Sequence, residues 1–174
     1  MLEGLRKLKK TLDELKIEYV LDCGTLLFAI RENRSDPNDV DVSIFERDKH
    51  KLISGLETFI KNGFRFNNLF FHPKLGLIAM SLLWKDWGVD IFVRYEKNDY
   101  SYFVALYDND FIVAGHPKKF FKKLDTFEFD GMSHKVPHNP EDYLTAYYGD
   151  WRIVIEHDQW DRCNGPKCIH NELL

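Results

Sequence analysis

The sequence predicts an α+β fold: a mixed, largely antiparallel sheet flanked by helices, in a single domain. Three observations point there. Leu2, Leu5, Leu8, Leu12 and Leu15 recur at helical spacing. Four strand-like runs, 64–71, 75–84, 89–95 and 102–107, follow one another with gaps short enough for antiparallel hairpins. Between these regions, aspartate and apolar residues alternate along Asp39-Val40-Asp41-Val42-Ser43-Ile44, the period of a half-buried strand.

Composition bounds the rest. At 174 residues the chain suits one domain with a sizeable core, and no repeat, low-complexity segment or linker marks a second. Residues 151–174 read as a C-terminal tail packed on the body. Apolar content of 44% and aromatic content of 15% argue for a folded globule. A net charge of -4 leaves no footprint for nonspecific nucleic-acid binding. No apolar run approaches the roughly 20 residues of a membrane span. The charged stretch 1–16 reads against a signal peptide. The odd set Cys23, Cys163 and Cys168 suggests reduced thiols and a cytoplasmic protein.

The elements follow in order. The leucine repeat, with Arg6, Lys7, Lys9, Lys10 and Glu14 between its members, is an amphipathic helix with a solvated basic face. Residues 19–22 form a short strand feeding a Gly24-Thr25 turn, and 26–30 a helix that Arg31 ends. After the aspartate strand, Asp48 is positioned to cap a helix whose face is Leu52, Ile53, Leu56, Phe59 and Ile60, ended by Asn62-Gly63. The four strands come next, then a short strand at 111–114. His116-Pro117 opens a stretch read as a helix, with Lys118, Lys119, Lys122 and Lys123 on a solvated face. Residues 127–129 and 134–136 flank Asp130-Gly131 as a hairpin. Asn139-Pro140-Glu141-Asp142 starts a helix that buries Tyr143, Leu144, Tyr147 and Tyr148 and closes at Gly149. In the tail, anchored by Trp151 and Trp160, the Cys163, Cys168 and His170 spacing is not that of a zinc site.

Chemistry concentrates between Cys23 and Phe45. On a strand, Asp39 and Asp41 share a face with Ser43 while the valines face a core. Two carboxylates that close repel, and a divalent cation with a taste for hard oxygen, Mg²⁺ or Mn²⁺, removes the repulsion. Gly24 and Thr25, at the entrance to a helix, suit a phosphate cradle of backbone N–H groups. Arg31 forks either onto a phosphate or onto Glu32 or Asp36. Asp90 interrupts an apolar strand, so it pairs either with Arg94 on the same face or with a metal shared with Asp39 and Asp41. The carboxylate strand upstream favours the metal. Alone, an Asp-x-Asp pair or a Gly-Thr turn is structural more often than not; their order is more specific.

That order resembles the nucleotidyltransferase fold. The ordered set GTLLFAIR, DVDV, VDIF and VPHNPEDYLTAYYGDW, spanning Asp22 to Trp151, resembles the LicD family more narrowly. That family includes choline-phosphate transferases of bacterial surface glycans and, more distantly, fukutin and fukutin-related protein. Here the loop before the aspartate strand is shorter and reads Asp36-Pro37-Asn38, and Phe28 stands where the family usually has glycine. The resemblance implies a metal-dependent enzyme that moves a phospho-alcohol, phosphocholine- or ribitol-phosphate-like, from a CDP-linked alcohol to a glycan hydroxyl and releases CMP. It implies Asp39, Asp41 and Asp90 as catalytic and metal-holding residues and Gly24, Thr25 and Arg31 as donor-binding ones. Two rivals stay open. One is a nucleotidyltransferase that uses an NTP donor and a small-molecule or protein acceptor. The other is a nucleotide-binding module without catalysis.

Overall fold

The fold turns on one parallel pair of strands inside an otherwise antiparallel sheet. The computed structural model describes residues 2–107, 110–154 and 174. The tail's Cys163, Cys168, His170, His157, Asp158 and Trp160 lie outside them. In chain order the elements are α1 (Leu2–Glu14), β1 (Tyr19–Leu21), α2 (Cys23–Glu32), β2 (Asp39–Phe45), α3 (Lys49–Ser54), α4 (Leu56–Lys61), β3 (Arg65–His72), β4 (Gly76–Trp84), β5 (Trp87–Lys97), β6 (Tyr100–Tyr107), β7 (Asp110–Pro117), β8 (Leu124–Phe129), β9 (Met132–Pro137) and α5 (Pro140–Tyr148). The main sheet runs β1-β2-β5-β4-β3, with β6 joining β5 and β7 joining β6. Only β2 and β5 are parallel in it. β8 and β9 form a separate hairpin. This is the mixed, largely antiparallel α+β architecture that the sequence predicts.

Alternation decides the faces. Val40, Val42 and Ile44 of β2, Ile78, Met80 and Leu82 of β4, and Val89, Ile91 and Val93 of β5 are buried with Leu5, Leu8 and Leu12 of α1 in one core. The other face of the same strands carries Asp39, Asp41, Asp90 and Phe92. Among the described residues, no helix is long and apolar enough to cross a membrane.

Four local expectations are corrected. The helix expected across 52–60 is broken at Gly55 into α3 and α4, and Ile53 and Ile60 are exposed. A Cβ on Gly55 would lie 2.6 Å from Leu15 Cδ1 and 2.7 Å from the Lys51 carbonyl, so the break leaves no room for a side chain. Asp48 stands at the N-cap of α3 without a side-chain capping bond and pairs with Lys51 at 2.6 Å. The lysine-rich stretch after Pro117 is a 3₁₀ turn, Lys118–Phe120, because β7 extends through Pro117 and β8 begins at Leu124. Asn139 caps α5 by position only: it adopts a left-handed φ of 49°, and its N–H donates to Asp125.

One buried carboxylate ties these pieces together. Asp22 Oδ2 accepts from Arg94 Nη2 at 2.6 Å and Nε at 3.1 Å, and from the Ser43 hydroxyl. Asp22 Oδ1 accepts from the Tyr143 hydroxyl at 2.6 Å and the Cys23 N–H at 2.9 Å. Both ion-pair side chains are fully buried. Burial alone would push the Asp22 carboxyl up, but Arg94 and the two hydroxyls hold it below the usual range. Removing one partner of such a pair strands the other charge in the core. Arg94→Leu should therefore cost about 3–5 kcal/mol in urea unfolding. Adding Asp22→Asn to it should recover part of that loss, and a double variant no more stable than the single one would show that the stranded charge is not what costs.

Candidate active site

Asp39, Asp41 and Asp90 meet because β2 and β5 are in parallel register. Asp41 lies directly opposite Asp90, and Asp39 opposite Gly88. Each of the three contributes a carboxylate oxygen, and these oxygens lie within 4.8 Å of one another. The alternative partner for Asp90 is removed: Arg94, on the same strand face, is committed to Asp22. Asp90 instead takes a hydrogen bond from Ser81 of the neighbouring β4, while burial pushes its carboxyl up. The Asp41 carboxyl is pushed well above its ordinary value, first by burial and then by Asp39, Asp90, Asp36 and Asp22. Four nearby carboxylates are thus its main electrostatic neighbours, and their repulsion adds to burial in disfavouring its charged form.

The Gly-Thr piece lies inside the helix rather than before it. Both residues belong to the first turn of α2, behind the Asp22 cap. The Gly24 N–H donates to Asp41 Oδ2 at 3.3 Å. A Cβ at Gly24 would lie 2.0 Å from Asp36 Oδ2, so only glycine lets that carboxylate rest on the helix terminus. Thr25 is buried, and its hydroxyl accepts from the Asp41 N–H at 2.7 Å. It fixes β2 against α2. Gly24 faces the open side, and Thr25 does not.

That open side is a cavity of about 760 Å³. Gly24, Asp36, Asp39, Asp41 and Asp90 line it together with Arg31, Glu32 and Arg34 and with Phe92, Phe103, Tyr147 and Tyr148. Arg31 bonds Glu32 Oε1 through Nε and Nη2, at 2.9 and 2.5 Å, and the Trp151 carbonyl through Nη1 at 3.2 Å. The ion pair with Glu32 is formed, and the guanidinium still borders the cavity. Arg34 holds the other oxygen of Glu32 and stacks over Phe28, 4.6 Å from the ring centre.

Sequence reasoning missed Asp36, Arg34, Tyr147 and Tyr148 as cavity residues and Asp22 as the buried anchor. A signal existed for Asp22, a cap residue directly before Cys23-Gly24-Thr25. For the tyrosines the helical spacing indicated burial, and Tyr147 is buried, yet both also border the cavity.

Known proteins give a family and a likeness of fold. The family model described as LicD/FKTN/FKRP, nucleotidyltransferase domain, matches residues 16–139. No curated protein matches the chain. Among solved structures, the solution structure of the antibiotic-resistance factor ANT(2'')-Ia is similar at 14% identity and a TM-score of 0.48, over 76% of this chain and 62% of that one. The crystal structure of ANT(2'')-Ia in complex with adenylyl-2''-tobramycin gives 13% identity and 0.48, over 78% and 67%. A putative nucleotidyltransferase from Thermotoga maritima gives 22% and 0.46, over 82% and 84%. The chain therefore spans less than two thirds of the first of these structures.

The raised Asp41 carboxyl has a consequence for stability. The folded protein binds that proton more tightly than the unfolded chain, whose aspartates titrate near 3.9. Metal-free protein should lose stability as pH rises from about 4 through the raised value. Asp41→Asn removes the charge with little change of shape. In EDTA at pH 7 it should be as stable as the parent or more so, with a flatter pH dependence between 4 and 7 by thermal unfolding. A loss of stability instead, in the range of about 1–3 kcal/mol, would mean that Asp41 is a structural hydrogen-bond acceptor.

Proposed function

The chain belongs to the LicD/FKTN/FKRP family of nucleotidyltransferase domains, and from that premise we propose that it transfers a phospho-alcohol, phosphocholine- or ribitol-phosphate-like, from a CDP-activated donor to a glycan hydroxyl. One observation carries the reading: three carboxylate oxygens within 4.8 Å of one another, on the edge of a cavity of about 760 Å³. The donor set is all hard oxygen, and burial together with the neighbouring carboxylates pushes the Asp41 carboxyl up, so the residues fit Mg²⁺ or Mn²⁺. Asp39, Asp41 and Asp90 would hold it, and such an ion neutralises charge on the phosphates.

The chain's own groups do the rest. Gly24, at the start of α2, donates its N–H to Asp41 and leaves room for the Asp36 carboxylate; a donor phosphate bound there would take the place of these contacts. Thr25 holds Asp41 in place from behind through its bond to the Asp41 N–H. Arg31 borders the cavity, fixed in orientation by Glu32 and the Trp151 carbonyl, and offers charge to the donor phosphates. The acceptor oxygen forms a bond to the phosphorus of the transferred group. The bond from that phosphorus to CMP breaks, and its electron pair leaves with CMP. The acceptor's proton leaves to solvent or, where Asp39 and Asp41 alone hold the ion, to Asp90. Catalysis of this kind is positioning plus electrostatics.

Product analysis tests the reading. With Mg²⁺, a CDP-alcohol and a glycan acceptor, CMP should appear only when acceptor is present. Pyrophosphate from an NTP, with no CMP from any CDP-alcohol, would assign the chain to nucleotidyl transfer instead. Arg31→Lys keeps the charge and loses the planar fork, so kcat/KM should fall about tenfold, or 1.4 kcal/mol, at unchanged Tm. An unchanged kcat/KM would reduce Arg31 to its ion pair with Glu32.

A further inference from the structure

We propose that the sheet floor of this cavity is the seat of the donor's nucleobase, stacked on Phe92. The inference rests on the transferase reading above and adds the place and chemistry of a second subsite. Asp90 and Phe92 sit two residues apart on one face of β5, which separates them by roughly 7 Å along the strand. β6 places Phe103 and Ala105 beside them, opposite Ala114 and Ile112 of β7. All of these side chains line the cavity.

The floor is built rather than incidental. Phe103 and Ala114 belong to a buried cluster with Cys23 and Tyr147, and the half-buried Phe92 and Ala105 pack on that cluster. The Phe92 and Phe103 rings lie 4.7 Å apart, centre to centre, at 35°. Phe92 is thereby held by a fixed ring while it borders open space, and the two alanines leave room beside it.

The chemistry of the floor selects the occupant. None of Phe92, Phe103, Ala105, Ile112 or Ala114 has a side chain that hydrogen-bonds. A sugar or polyol placed against these five side chains would give up its water there without replacement, although Tyr147 and Tyr148 line the same cavity. A heteroaromatic ring loses little at its faces and gains stacking, which every base offers. Position agrees. Phosphates belong with the carboxylates, and in a nucleoside phosphate the base stands one ribose away from them, about the separation of Phe92 from Asp90.

The test uses three probes with Mg²⁺ in titration calorimetry: CMP, ribose 5-phosphate, which lacks the base, and phosphocholine, which carries the alcohol alone. CMP should bind about tenfold tighter than ribose 5-phosphate to the parent protein. Phe92→Leu, which keeps apolar volume and removes the ring, should erase that gain and leave ribose 5-phosphate affinity unchanged. Ala105→Phe, which fills the floor, should do the same, with thermal unfolding reporting that each variant is folded. Equal affinities for CMP and ribose 5-phosphate in the parent would overturn the base subsite, and need no variant. So would a loss confined to phosphocholine in the two variants. If none of the three probes binds in Mg²⁺, the phosphate-and-metal reading itself falls, and the subsite with it.

Discussion

The structure depends on the buried ion pair of Asp22 and Arg94. Asp22 ends β1 and caps α2, Ser43 lies on β2, Arg94 on β5 and Tyr143 on α5, so one carboxylate joins five elements. Taking two charges out of water is costly, and the attraction repays it only when the remaining hydrogen-bonding positions are also filled. Here the Asp22 oxygens are filled by a guanidinium, two hydroxyls and a backbone N–H, whereas on the arginine Nη1 is buried with no hydrogen-bond partner among the described residues. Arg94 lies over the Phe121 ring, 4.1 Å from its centre, and its Nη2 also donates to Tyr143. The geometric result is that the N-terminus of α2 is pinned to the strands that carry the acidic cluster. Gly24 and Asp41 can meet only if that seam holds.

The second constraint is the parallel register of β2 and β5. Adjacent strands in a hairpin place residues near in sequence, whereas this pair joins Asp41 to Asp90 across forty-odd positions of helix and hairpin. α3, α4, β3 and β4 fill that interval. The long excursion lets the sheet add antiparallel neighbours on one side of β5 while β2 keeps the other. It also sets Asp90 between Asp41 of β2 and Ser81 of β4.

Much of this was legible, and the division has a physical basis. Periodicity records which face of an element is buried, so α1, the four central strands and the aspartate face of β2 could be read from the chain. Punctuation by Asn139-Pro140 and Gly149 recorded α5. Pairing between distant strands leaves no local trace. The sequence could place Asp90 on the same strand face as Arg94, but not reveal that Arg94 reaches across to Asp22. The break at Gly55 had a local signal, a glycine inside the helical run, but the packing of Leu15 against it did not show in the sequence. For the candidate site, residue type and alternation suggested the three aspartates, while Asp36, Arg34 and the aromatic floor come together only through tertiary contact.

The two sets of carboxylates show how the fold separates structure from chemistry. Asp22 is fully buried and held ionised by a cation that the fold itself provides. Asp39, Asp41 and Asp90 line the cavity, and the one arginine on their own strand face is spent on Asp22. Arg31 and Arg34 are tied to Glu32. Had Arg94 turned toward Asp90, one carboxylate of the group would have a counter-charge from the fold, and a divalent ion would gain less by binding. Because it turns inward instead, that counter-charge goes to Asp22 and the core absorbs the cost through the Asp22 network. An acidic cluster of this kind lowers the stability of the metal-free protein and raises the gain from a bound cation by the same repulsion. The inward turn of Arg94 thus serves both ends: it holds α2 to the sheet, and it keeps that guanidinium away from Asp90.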